Sequence, residues 1–521
     1  MRISWWTSVI VWQFADFTLG DQVVLQDDRH QAARPHNVAI TGAGAAGASS
    51  AYHLAQYAAA AGIPVNITVF ERNDYVGGRT TTVNAYNSSD HPIELGGSIF
   101  IEKNRILFEA AKAFNLTTSS ASLSSRSSDI PGPALGIWDG QQFVVTQNNE
   151  GGWWDTAKLL YKYGLAPIRT LRLMRATTEK FFQMYDAPIF PFSSLTQAAS
   201  DVGLLAVTSA TGEQFLRESN IGHLFAREII QASTRVNYAQ NLDHIHALET
   251  MVCMAVEGAM AVEGGNWQIF DRMVEESNAT LLLNTPVKSL DHDASSGIYT
   301  LHTGSNSTSN FSTLILAHPF QYSSLSSLPS TLHTPSKIDY VTLHVTLFTS
   351  PHLLSPRFFG LAPDKPAPHA VLTTLPEGEH APDRKTVGTP GFYSVSLLRQ
   401  VTNPATGAQE FAYKIFAPSP STSLFIARLL GIQLSSSGEL KADDVTWLYR
   451  KEWQSYPYEV PRRQFEQINL GEGAWYTAGI EGFVSTMETS ALMGKNVGRL
   501  VVDQWISEEK RMRGDHEARS N

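Results

Sequence analysis

Hydrophobic positions along the chain switch between two periods. Residues 38–41 form a short apolar run and Val65-Asn-Ile-Thr-Val-Phe70 alternates, so both predict strands. Between them, residues 48–58 are small and helix-compatible. Over residues 155–185, Leu159, Leu160, Tyr163, Leu171, Leu173, Met174 and Phe181 recur at spacings of three and four, which predicts one helix. Such a stripe ordinarily faces a core; lining an apolar tunnel is the alternative. Over residues 338–348, Tyr340, Thr342, His344, Thr346 and Phe348 alternate with Val341, Leu343, Val345 and Leu347, a strand pattern. The Pro- and Ser-rich stretches 323–336 and 351–390 predict loops, and 306–312 predicts an exposed hairpin. A helix is expected to begin near Met487. The polar tail, 507–521, is expected to be disordered.

Composition narrows the function classes. The chain has 521 residues, 43% hydrophobic and 10% aromatic, ample for a large core. Its net charge is −10, from 39 Lys+Arg against 49 Asp+Glu, which excludes a generally basic nucleic-acid binder. Charged residues are 17%, few for a soluble chain, and surface glycans would account for the deficit. A single cysteine, Cys253, excludes intrachain disulfides, four-cysteine zinc sites and CxxC redox pairs. Set among Met251, Val252, Met254 and Ala255, it is expected to be a buried, inert thiol. His244 and His246 flank Ile245 without an acid at helical ligand spacing, so no metal site is expected.

The N-terminus pairs Arg2 with an apolar run over residues 3–12, broken by Gln13 and Asp16. This fits a secretory signal over residues 1–20 and is too short to cross a bilayer; a buried N-terminal segment or a misassigned start is the alternative. No transmembrane segment is expected elsewhere. The triplets at Asn87, Asn115, Asn278, Asn306 and Asn310 fit N-x-[ST] and are candidate glycosylation sites in the secretory pathway, whether the protein is secreted, vacuolar or lysosomal. Asn66-Ile-Thr fits as well, but begins a predicted buried strand and is expected to stay unmodified.

The chemistry centres on Gly42-Ala43-Gly44-Ala-Ala46-Gly47, a G-x-G-x-x-G between the first strand and a helix. Gly42 makes the turn, Gly44 lets backbone approach a pyrophosphate, and Gly47 lets helix pack on strand. Glu71 ends the second strand 24 residues past Gly47, at the spacing of the carboxylate that binds a ribose hydroxyl. Only this one fingerprint is evident, leaving no second Rossmann site for a nicotinamide. The continuation Glu71-Arg72 through Gly77-Gly78-Arg79 resembles the extension in FAD proteins of the amine-oxidase kind. There glycines permit close approach and Arg offers a fork to phosphate. Glu94-Leu-Gly96-Gly97-Ser98 resembles the segment passing the isoalloxazine ring. Pro286-Val287 resembles the strand whose residue after Pro contacts adenine. Gly479-Ile-Glu481 resembles the element that brings a carboxylate toward the ribityl and diphosphate. Met487-Glu488 begins a helix whose N–H groups would favour negative charge on the reduced ring.

Beyond the flavin motifs the chain resembles the prenylcysteine oxidase (prenylcysteine lyase) family. The resemblance rests on Tyr163-Gly164-Leu165 with Pro167-Ile-Arg169-Thr-Leu-Arg172, on Ala232-Ser-Thr-Arg235-Val-Asn237-Tyr238-Ala-Gln240, on Ala261-Val-Glu263-Gly-Gly-Asn266, and on Tyr413-Lys414-Ile-Phe416. It runs from about Val38 to Trp505; residues 350–390 match nothing placeable. It implies an α/β fold with a Rossmann-like FAD-binding domain interleaved with a mixed α+β substrate domain. The first would gather residues 35–105, 245–320 and 470–506, the second residues 106–244 and 321–469. The implied cofactor is FAD, the partners a hydrophobic small molecule and molecular oxygen. The implied reaction oxidises S-farnesyl- or S-geranylgeranyl-cysteine: hydride leaves the sulfur-bearing carbon, water adds, and the adduct collapses to cysteine and a prenyl aldehyde, with hydrogen peroxide formed from oxygen. Arg235, Tyr238 and Lys414 are the candidate catalytic groups. The same fold acting on an amine or specialised metabolite, and a non-catalytic flavin-fold binding protein, are the alternatives.

Overall fold

The computed structural model describes residues 34–121, 130–148, 153–304 and 308–520. The predicted signal segment and Asn306 lie outside them.

Both predicted N-terminal strands form, at His36–Thr41 and Val65–Phe70, paired in parallel with Ile40 opposite Val69. They sit inside a six-stranded sheet whose members come from distant parts of the chain. Its order is 469–471, 474–476, 313–316, 36–41, 65–70 and 280–282; every pairing is parallel except that of 469–471. Val38 and Ile40 point from the first strand into one core cluster and Ala39 into another, so both faces of the strand are covered. That is why it reads as a short continuous apolar run. Helix Ala45–Ala61 covers one face, and the C-terminal helix packs closely against it: a Cβ at Gly494 would lie 2.3 Å from the Ala46 carbonyl oxygen.

A second sheet has seven strands, in the order 447–457, 340–350, 409–417, 394–402, 370–373, 135–138 and 143–147. The predicted strand over residues 338–348 is its strand Tyr340–Ser350. Residues 351–390 are not all loop: Ala370–Thr373 joins this sheet, pairing with Leu135–Trp138. Its few apolar residues, between prolines, gave no length of alternation to read. A three-stranded antiparallel meander spans 287–293, 298–303 and 308–311.

The single helix expected over 155–185 is three elements: Trp153–Tyr163, Ala166–Phe182 and a 3-10 turn Gln183–Tyr185. Gly164 turns left-handed at φ 58 and Pro167 opens the next helix, which divides the stripe. The tail expected to be disordered is helical instead, in one helix from Met487 to Ser520. Val501, Val502 and Trp505 anchor this helix in the core, and charged pairs four apart, Arg499 with Asp503 at 2.9 Å and Arg513 with Glu509 at 3.9 Å, support its polar side. Among the described residues, no helix is long and apolar enough to cross a membrane.

Candidate active site

The glycine loop is shaped as its sequence demands. Gly42 adopts φ 100, and a Cβ at Gly47 would lie 1.9 Å from the Gly42 carbonyl oxygen, so helix and strand can meet only over glycine. Gly44 caps helix Ala45–Ala61 without a side-chain hydrogen bond and with no acid in the first turn. Its free N–H groups and dipole therefore favour an anion. Gly77 lies alongside, its N–H donating to the Ala43 carbonyl at 2.9 Å, and a Cβ on Gly78 would lie 3.3 Å from Gly44 Cα.

Glu71 is buried at the end of the second strand. Its Oε2 accepts the Ala43 N–H at 2.8 Å, and its Oε1 accepts the Asn73 N–H and Nδ2 at 2.9 and 2.7 Å. One acceptor position on Oε2 remains for a ribose hydroxyl. Arg72 is exposed and donates to the Tyr322 carbonyl. Val287 is buried, and the Thr285 N–H donates to the Glu71 carbonyl at 2.7 Å, so this segment abuts the acid.

Arg79 pairs with Glu481 at 2.6 Å and donates to the Ser455 carbonyl at 2.8 Å. Tyr340 donates to the other Glu481 oxygen at 2.9 Å and lies under the Arg79 guanidinium. Gly479 lies in the same short helix as Glu481, so three distant segments converge on one ion pair. At the Gly96–Gly97–Ser98 turn, a Cβ on Gly96 would touch the Arg79 carbonyl oxygen and the Trp453 ring; one on Gly97 would touch the Met487 sulfur. Lys414 donates to the Glu94 carbonyl at 2.7 Å and to the Ser98 hydroxyl at 3.2 Å. Asn266 pins the same turn, receiving from Val262 N–H and donating to the Gly97 carbonyl, while its own N–H meets Glu94. The segment 261–266, matched only by resemblance, thus has a mechanical role.

Two predicted residues lie elsewhere. Glu488 turns away from the cradle: its carboxylate accepts the Ile106 and Leu107 N–H groups, both at 3.0 Å, and the Tyr185 hydroxyl at 2.8 Å. It caps helix Arg105–Ala113, an anion on a helix N-terminus. Arg235 is wholly buried; Nε and Nη2 donate to Thr373, Nη1 to Asn241, and Nη2 also to the Val387 carbonyl. With no exposed surface it lines no chamber, so it is a core tie rather than a group beside substrate. Tyr238 is better placed. Its hydroxyl donates to the Ser485 carbonyl, two residues before the C-terminal helix, and its ring lies 5.2 Å from that of Tyr456.

Sequence reasoning missed the far wall. Trp453, Ser455 and Tyr456 come from an amphipathic edge strand that carries no motif, and Tyr340 gave only an alternation. The Trp453 Nε1, Ser455 Oγ, Tyr456 hydroxyl and Glu94 Oε2 are buried without a hydrogen-bond partner. With the Trp453 ring against Gly96, where a Cβ would clash, these orphaned polar atoms fit a site for a flat polar cofactor. The residues present fit FAD.

Behind Tyr238 lies a second group that the sequence did not signal. His246 faces Glu249 and Glu459, their ligand-type atoms within 4.8 Å of one another and all buried. The reading of His246 as lacking an acidic neighbour is corrected: Glu249 is one turn on, and Glu459 arrives from another segment. Burial lowers the His246 pKa to about 4, pushes Glu249 up to about 8, and pushes Glu459 well up. His246 Nδ1 accepts the Glu249 N–H, which leaves the ring proton on Nε2, toward Glu459. Cys253 is buried and its thiol pKa is pushed well up by burial, as an inert thiol requires.

Residues 146–515 match the prenylcysteine lyase family, and residues 40–114 match an NAD(P)-binding Rossmann-like domain. The chain belongs to the prenylcysteine lyase family. Farnesylcysteine lyase of Arabidopsis thaliana is 28% identical over 91% of this chain and 90% of that protein. Prenylcysteine oxidase 1 of Mus musculus is 26% identical over 92% and 91%. Among solved structures, a putrescine oxidase triple mutant superposes with a TM-score of 0.53 at 16% identity, over 90% of this chain and 99% of that one. Cyclohexylamine oxidase of Brevibacterium oxydans superposes with a TM-score of 0.50, also at 16% identity, over 91% and 100%. These two show a shared fold: the α/β architecture with a Rossmann-like domain is that of the amine oxidases. Family and cradle together make the chain an FAD-dependent oxidoreductase.

Proposed function

We propose that this protein cleaves the thioether of S-prenylcysteine with water and oxygen, giving cysteine, a prenyl aldehyde whose oxygen comes from water, and hydrogen peroxide from reduction of oxygen. The substrate class rests on the names of relatives that align along nine-tenths of the chain. The observation in the structure that carries the reading is the Gly96–Ser98 turn. There the cofactor cradle meets Lys414 and Trp453 from the seven-stranded sheet.

Gly42, Gly44 and Gly47 would hold the diphosphate, Glu71 the adenosine ribose, and the Arg79–Glu481 pair the region between phosphate and ring. Bound FAD supplies the hydride acceptor. The chain's own work is to place the sulfur-bearing carbon and to exclude bulk water. Lys414, held by Glu94 and Ser98, offers a donor at the turn, and Tyr238 with Tyr456 offers an aromatic wall. The amine reading is less well supported. Burial pushes Glu94 up to about 7 and Glu249 up to about 8, so neither is a reliable counter-charge for an ammonium.

The division of the chain into residues 35–105, 245–320 and 470–506 for cofactor, and 106–244 and 321–469 for substrate, belongs to this proposal. So does passage through the secretory pathway. Asn87, Asn115, Asn278 and Asn310 are all exposed, which supports glycan addition; Asn66 is exposed too, although it lies in a strand. A peroxide assay across prenylcysteines, amines and alcohols tests the substrate. Turnover confined to prenylcysteines is expected; turnover with amines alone would refute it.

A further inference from the structure

Among the described residues ten large apolar side chains stand exposed, and six of them fall between residues 159 and 171: Leu159, Leu160, Tyr161, Leu165, Ile168 and Leu171. They cover the outer side of the corner between helices Trp153–Tyr163 and Ala166–Phe182. Tyr161 is 95% exposed and Leu165, in the turn, is 58% exposed. An apolar cluster this dense marks an interaction site rather than scattered surface residues.

Charge says what covers it. Residues 153–182 carry six basic residues, Lys158, Lys162, Arg169, Arg172, Arg175 and Lys180, and two acidic ones, Asp155 and Glu179, a charge of +4 within the segment on a chain of −10. Lys162 is held by Glu228 at 2.6 Å, and Arg175 stands 3.9 Å from Glu257. Arg169 and Arg172 are exposed and line an open pocket with Leu173, Ser219 and Asn220; Arg169 also donates to the Asn220 carbonyl. Exposed leucines and a tyrosine beside two guanidiniums match the acyl boundary and the phosphate layer of an anionic leaflet. Neither helix is long or apolar enough to span, so the corner would lie in the interface rather than cross it.

The inner side of the same corner leads to the site. Tyr163, Ala166 and Met174 are buried in the cluster that holds Tyr238, with Tyr456 packed against it. The two helices therefore carry an apolar outer face, a cationic rim and an inner face one layer from the candidate active site.

We propose that the 153–182 helix corner docks this protein on the surface of an anionic lipid membrane. The proposal stands independently of the substrate assigned above. Sedimentation of the full chain with phosphatidylcholine vesicles, with and without phosphatidylserine, tests it. Binding is expected with phosphatidylserine, weaker without it, and weakened by salt. Replacing Arg169→Gln and Arg172→Gln together should weaken binding roughly 30-fold, at about 1 kcal/mol per cation. Tyr161→Ser with Leu165→Ser should abolish it while leaving the thermal midpoint unchanged. The proposal is overturned if the folded protein does not sediment with phosphatidylserine vesicles, or if both variant pairs bind like the parent. It is equally overturned if light scattering shows a dimer that Leu165→Ser dissociates in a protein that binds no vesicle, since the face would then meet a second copy.

Discussion

Gly44→Ala and Gly47→Ala each add one methyl group within one loop, and their surroundings demand opposite outcomes. At Gly47 the new carbon would lie 1.9 Å from the Gly42 carbonyl oxygen and 3.3 Å from the Ala317 side chain. Backbone oxygen cannot swing aside, so helix must part from strand, an overpacking cost of roughly 1–3 kcal/mol. The gain from alanine in a helix is at most about 1 kcal/mol and does not offset a clash with backbone. At Gly44 the new carbon would meet only the Gly77 carbonyl oxygen and Gly78 Cα, both at 3.9 Å, in backbone already at φ −76. The cofactor-free fold should accept it within about 0.5 kcal/mol. The methyl would, however, fill the approach reserved for the diphosphate. At FAD a hundredfold above its dissociation constant, the parent gains about 2.7 kcal/mol from binding. A hundredfold weaker site leaves about 0.4 kcal/mol of that by the same relation. Thermal melts with and without FAD, beside flavin absorbance of the purified protein, read both effects. Gly47→Ala should melt early in either condition; Gly44→Ala should melt like the cofactor-free parent and gain little from FAD. A Gly44→Ala protein that binds FAD like the parent, or that unfolds without it, would refute this account of the loop.

Three further outcomes follow from the site and the surface. Glu249 holds a proton in the folded protein up to a pKa of about 8, against an ordinary 4.5, so its contribution to stability is full below pH 4.5 and is lost as pH rises through 8. Glu249→Gln should match the parent's melting point at pH 5 and exceed it at pH 8.5; parallel melting curves would contradict the assignment. Lys414→Met should keep FAD bound and lower turnover roughly 100-fold, the scale of one positioned proton-bearing group; unchanged turnover would leave Lys414 as a strut between Glu94 and Ser98. Expressed in a eukaryotic secretory host, the protein should lose its leader and shift in mass on deglycosylation. An intact Met1 with no shift would remove the secretory reading.

What was legible in the sequence was local. Gly42, Gly44, Gly47 and Glu71 lie within thirty residues on one strand–helix–strand unit, and backbone geometry there admits few alternatives. The Gly96 turn and Glu481 were found by resemblance, and the structure adds that Arg79 joins them. Glu488 and Arg235 misled because a charged residue beside a motif has no visible direction: one turns to cap helix Arg105–Ala113, the other is consumed by Thr373 and Asn241. Trp453 against Gly96, Tyr456 against Tyr238 and Glu459 against His246 are contacts between residues more than two hundred apart, which no periodicity encodes. Gly164 was visible in the sequence, but a helical stripe ran through it, and only its φ of 58 shows that the stripe is two helices with an outward corner.

Anaerobic titration of the flavin with S-farnesylcysteine tests the central claim most directly. The flavin should bleach with no nicotinamide present, and on admitting oxygen one equivalent of peroxide should appear per aldehyde. A C15 or C20 prenyl chain should be favoured over C5, because each buried CH2 contributes about 0.8 kcal/mol, and cysteine alone, lacking the allylic C–H, should do nothing. Bleaching only after NADPH is added, or with simple amines and never with a thioether, would contradict it.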